Sequence, residues 1–69
     1  MEQVKMIKGL LKNWYVDETN YTEPVIVGDI YGHSDFPDGH RIHTSAIVAM
    51  VKGKVETKNS IYNLEVREP

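Results

Sequence analysis

Apolar and polar residues alternate along most of this chain, and clusters of turn-forming residues separate the alternating stretches. From Leu10 to Asp17 the alternation places Leu10, Trp14 and Val16 on one side and Leu11 and Tyr15 on the other. Trp14-Tyr15-Val16 also has a strong strand preference. The residues ahead of this stretch are ambiguous. Val4, Ile7 and Leu11 are spaced for one helical face, but Gly9 stands inside the stretch and no capping residue precedes Val4. The sequence therefore predicts a first strand over about Leu10 to Asp17 with an irregular or briefly helical lead-in. Glu18 to Pro24 is polar and ends in proline, which reads as a loop.

Val25 to Tyr31 is the second expected strand. Its three consecutive β-branched residues, Val25-Ile26-Val27, point to burial on both faces, and Gly28 signals a bulge or the close approach of another backbone. Phe36-Pro37-Asp38-Gly39 is the clearest turn, with proline presetting the first position and glycine accepting a positive φ. A third strand is expected from Arg41 to Val51, apolar on both faces in its second half. Lys52-Gly53 is a two-residue hairpin signal. A fourth strand over Lys54 to Lys58, a turn at Asn59-Ser60 and a fifth strand over Ile61 to Arg67 follow, with Tyr62, Leu64 and Val66 on one apolar face. The predicted fold class is mainly β, a small antiparallel five-stranded meander or partly open barrel, in a single domain over residues 1–69.

Size changes the picture by making a partner desirable. The chain has 69 residues, a mass of 7.9 kDa and no cysteine. Domains below roughly 70–80 residues seldom gain more than about 3–5 kcal/mol from one core, and disulfides are excluded here. A homo-oligomer is expected, with Ile47, Val48, Met50 and Val51 as the apolar excess to be buried. The formal net charge is -2 and no basic stripe is present, which argues against duplex nucleic acid as a partner. No apolar run approaches the ~20 residues of a membrane span, and the N-terminus lacks the apolar core of a signal peptide, so no membrane partner and an intracellular location are expected.

Most residues with chemical potential fall between Gly28 and Val48. His33, His40 and His43 invite a metal reading, with Asp35 and Asp38 nearby, but His40 and His43 differ by an odd number and point to opposite faces of an extended strand. Neither a metal nor a cofactor is expected. Ser45, His43 and Asp38 do not sit in any nucleophile-elbow pattern, and the reading is that the chain is not an enzyme. An anion or nucleotide site is the better fit. Arg41 offers a planar five-donor fork suited to phosphate, His43 adds a ring donor, Thr44 and Ser45 add hydroxyls, and Tyr31 offers a ring for stacking. His33 and His40 complete the candidate ligand-binding set. The competing reading is that Arg41 pairs with Asp29 or Asp38 across the hairpin and nothing binds.

Trp14, Gly28-Asp29-Ile30-Tyr31-Gly32-His33, Phe36, Asp38-Gly39, Ile42, Thr44-Ser45, Ile47, Val55, Thr57, Ser60, Tyr62 and Leu64 together form a pattern. That pattern resembles a family of small phage and prophage proteins sharing "G-x-x-Y-G-H", "F-x-D-G-x-x-I-x-T-S" and "T-x-x-S-x-Y-x-L" motifs. In size and expected oligomeric sheet architecture such proteins are similar to the phage proteins that sequester immune signals of Thoeris and CBASS defence. The resemblance implies an anti-defence binding protein in the host cytoplasm that takes a cyclic nucleotide or cyclic ADP-ribose signal without cleaving it. The alternative is an inhibitor that blocks a host defence protein, as anti-CRISPR proteins do, with Asp35, Asp38, Glu18 and Glu23 as contacts.

Overall fold

The computed structural model describes residues 5–66. It is one six-stranded mixed sheet in the order β3-β2-β1-β6-β5-β4. The strands are β1 (Ile7–Asp17), β2 (Val25–Tyr31), β3 (His40–His43), β4 (Ile47–Val51), β5 (Lys54–Thr57) and β6 (Ile61–Leu64). Two antiparallel meanders, β1-β2-β3 and β4-β5-β6, are joined along the parallel pair β1 and β6. No helix among the described residues is long and apolar enough to cross a membrane.

The mainly β class holds, and its details are corrected. There are six strands rather than five, and β1 with β6 makes the sheet mixed rather than antiparallel. The first strand begins at Ile7, so the helical lead-in is absent from residues 7–9; residues 1–4 lie outside the described residues. The expected long third strand is two, broken at Thr44-Ser45-Ala46. The last strand ends at Leu64, and Val66 is exposed rather than on the core face with Tyr62 and Leu64.

The break has a local cause. Thr44 donates its backbone N–H to Ile26 O at 2.9 Å, while its Oγ1 accepts the N–H of Ile26 at 3.0 Å. A side chain thus takes the place of a strand carbonyl, and the backbone leaves β2 at that point. Ile47 N–H donates instead to Pro24 O, and Lys58 N–H to Ala46 O. The three-residue link 44–46 joins the two edge strands of the sheet. A flat sheet of six strands would hold those edges about 24 Å apart, whereas four chain steps reach at most about 14 Å. The sheet must therefore curl until its edges converge at this end.

Inside the curl lie Leu11, Ile26, Ile30, Val55, Tyr62 and Leu64, with Trp14, Ile42 and Ile47 packed against them. Trp14 reaches this face only because β1 carries an extra residue. The register with β2 shifts between Lys12 and Tyr15, and Asn13 has φ 51°, a left-handed value that asparagine tolerates better than most residues. Gly28 is the residue opposite. A Cβ there would lie 3.0 Å from Trp14 Cβ and 3.2 Å from Lys12 O. The alternation expected for β1 is corrected accordingly, with Leu11 and Trp14 inward and Leu10 out of phase with Trp14. Val25, Ile26 and Val27 are all buried, as the run of β-branched residues implied.

Candidate functional site

Cross-strand neighbours share a face of the sheet, so register identifies what the outer face of β1-β2-β3 displays. Leu10 pairs with Tyr31, Lys12 with Asp29 and Tyr15 with Val27. On the other side of β2, Asp29 pairs with Arg41 and Val27 with His43. The outer face therefore carries Tyr31, then Asp29 with Arg41, then Val27 with His43, each step along β2 being about 7 Å. Inward-facing neighbours such as Leu11, Ile30 and Ile42 anchor the same strands in the core.

Arg41 has the partner that the competing reading gave it. Its Nε lies 3.0 Å from Asp29 Oδ1, and Nη2 reaches Asn13 O at 3.5 Å. Asn13 in turn donates Nδ2 to Asp29 Oδ2 at 3.1 Å, and its backbone N–H goes to Glu65 Oε2 at 3.2 Å. The β1 bulge and the Arg41–Asp29 pair are thus one cluster. A guanidinium has five N–H donors, so these two contacts leave donors for an anion. Lys12 Nζ stands 4.8 Å above the Tyr31 ring, an ordinary cation–π distance. His43 stacks on Tyr21 with ring centroids 4.8 Å apart and planes 29° apart.

The remaining candidates are placed elsewhere. Thr44 is buried, and besides its bonds to Ile26 it donates Oγ1–H to Ser45 O at 2.8 Å. Ser45 Oγ accepts the backbone N–H of Asn59 at 3.3 Å, tying the 44–46 link to the β5–β6 turn. Both hydroxyls serve the backbone, so neither joins Arg41 and His43 on the outer face. His33 and His40 gather around Phe36 in the β2–β3 loop, with centroids at 4.9 and 5.5 Å. That loop is held by Asp38 Oδ1, which accepts Gly32 N–H at 2.8 Å, and by Gly39, whose φ of 87° lets its N–H reach Ile30 O at 2.7 Å.

Two contributors were missed in the sequence, Lys12 and Tyr21. Strand parity alone could have placed Lys12 with Tyr31 had the register of β1 been known, whereas nothing local marks Tyr21 as the partner of His43. Among the described residues no three His, Asp or Glu side chains converge as metal ligands do. The acidic residues considered for a protein-blocking surface are split, because Glu18 and Glu23 lie in the loop before β2 and Asp35 and Asp38 in the loop after it.

No family model matches this chain, and neither a curated protein nor a solved structure matches it.

Proposed function

We propose that this chain is a non-enzymatic binding protein that takes a nucleotide-type anion on the outer face of β1-β2-β3. Arg41 and His43 would take phosphate, and Tyr31 would take the ring. The observation that carries the reading is the register. It sets an aromatic ring, a guanidinium and an imidazole at successive outward positions beside β2, at a spacing suited to base, sugar and phosphate. On binding, the ring of the ligand replaces Lys12 over Tyr31, and the freed ammonium becomes a further charge for phosphate. The resemblance to phage proteins makes a cyclic nucleotide or cyclic ADP-ribose immune signal the proposed ligand, held without cleavage as an anti-defence measure in the host cytoplasm.

Titration calorimetry against a panel of cyclic dinucleotides, cyclic trinucleotides and cyclic ADP-ribose isomers tests this. Wild type is expected to bind at least one of them. Arg41→Lys keeps the charge but loses the fork and should bind more weakly. Arg41→Ala should lose roughly ten- to a hundredfold, the equivalent of a charged hydrogen bond of about 1.5–3 kcal/mol. If wild type binds none of the panel, the inhibitor of a host defence protein replaces this reading.

A further inference from the structure

The sheet has two edges, and they are unequally protected. An open edge offers unpaired N–H and C=O groups to any passing strand, and natural edges are blunted by charge or shortness. β3 is four residues long and carries Arg41, His40 and His43. β4 is Ile47-Val48-Ala49-Met50-Val51, with no charge at all, and Val48, Met50 and Val51 are 56%, 43% and 65% exposed. The hairpin with β5 fixes which way its backbone points. Val51 and Lys54 flank the two-residue loop Lys52-Gly53 and exchange ladder bonds, so alternation turns the N–H and C=O of Met50 toward the open edge. The Met50 side chain is the cross-strand neighbour of core residue Val55 on β5 and lines a groove of about 410 Å³ with Trp14, Leu64 and Val66.

We infer that β4 pairs antiparallel with β4 of a second copy of this chain, about a two-fold axis near Met50. A neutral strand is self-complementary, since pairing it with itself sets no like charges opposite one another. The β3 edge fails that requirement because it would bring two copies of Arg41 close together. The two ends of β4 also match in charge. Lys52 follows one end, and Glu23 stands beside the other, because Ile47 N–H bonds to Pro24 O at 3.0 Å. Antiparallel pairing carries Lys52 of each copy toward Glu23 of the other, whose side chain is 56% exposed even with Lys58 Nζ at 3.1 Å. Near the axis the two Met50 side chains lie on the same face and close over the joined apolar grooves. A chain this short and without disulfides is one that gains most from such a partner. The pairing leaves the outer face of β1-β2-β3 uncovered, so it stands independently of the proposed ligand.

Sedimentation equilibrium of the full chain should give twice the 7.9 kDa chain mass. Val48→Lys should return the mass to that of one chain, because a charge on an edge strand blocks pairing. His40→Lys, the same kind of added charge on the opposite edge, should leave the doubled mass unchanged. In wild type the Met50 amide should exchange with solvent more slowly as protein concentration rises, a readout that survives even if Val48→Lys does not fold. A wild type of one-chain mass at every concentration overturns the inference. So does a folded Val48→Lys that pairs as wild type does, or a Met50 amide indifferent to concentration. A monomer whose Met50 amide is protected only by an added host extract would give this edge to a different protein, and would equally overturn the pairing.

Discussion

Thr44→Val separates a structural hydroxyl from a ligand-binding one, and its effect can be worked from the hydrogen bonds. Valine keeps the shape of threonine but offers no acceptor. The backbone N–H of Ile26, a residue with no exposed surface, loses the Oγ1 that accepts it at 3.0 Å. Leaving a buried donor unpaired costs about 1–3 kcal/mol. The bond from Oγ1–H to Ser45 O at 2.8 Å is lost as well, though Ser45 is only half-buried and water can replace that donor. Thr44→Ser keeps both bonds and removes one methyl group, about 0.8 kcal/mol. The valine variant should therefore be the less stable of the two despite its larger apolar side chain. With a urea m-value near 1 kcal/mol/M for a chain of this size, the expected cost moves the midpoint down by about 1–3 M. Urea denaturation followed by circular dichroism reads this directly. A Thr44→Val variant as stable as wild type, or more stable than Thr44→Ser, would refute the role given to Thr44 at the break between β3 and β4.

Three further outcomes are expected. Gly28→Ala should destabilise by about 1–3 kcal/mol, the usual range for overpacking, because its Cβ would meet Trp14 Cβ at 3.0 Å; thermal unfolding checks it. Arg41→Ala should change stability by no more than about 1 kcal/mol, since the ion pair with Asp29 is substantially exposed on the arginine side, and chemical denaturation alongside the binding assay separates the two roles. The Asp17 carboxyl is held below its ordinary value of 3.8, first by the Asn20 side chain and then by the backbone N–H groups of Thr19 and Asn20. A depressed carboxylate contributes stability above the unfolded value that is lost as pH falls through the folded one. Asp17→Asn should therefore flatten the loss of stability below about pH 3.8, and parallel acid titrations of the two proteins by circular dichroism would show it.

The sequence revealed what local chemistry decides and hid what distant pairing decides. The Pro-Asp-Gly turn, the Lys52-Gly53 hairpin and the two-sided burial of Val25-Ile26-Val27 were all legible, because turn geometry and β-branching act over a few residues. Gly28 was legible as the mark of a bulge, though not that the extra residue sits across from it at Asn13. That single residue shifts the phase of β1 and sends Leu11 inward with Trp14. The parallel pairing of β1 with β6 has no local signature, since it joins the two ends of the chain. In the candidate site, parity alone placed Arg41 and His43 on one face. The same parity assigned Thr44 to a continuous strand, whereas its hydroxyl bonds the backbone of β2 and ends that strand. Lys12 escaped notice because its place beside Tyr31 depends on a register that only the folded sheet defines.

The most direct test of the proposed site is a nuclear magnetic resonance titration of the isotopically labelled chain with the cyclic nucleotide panel, observing backbone amides and aromatic rings together. The largest shifts are expected at Tyr31, Arg41, His43 and Lys12, with the Tyr31 ring responding as Lys12 is displaced from it. Shifts confined to the groove lined by Trp14, Met50 and Leu64, or no shifts with any member of the panel, would contradict it.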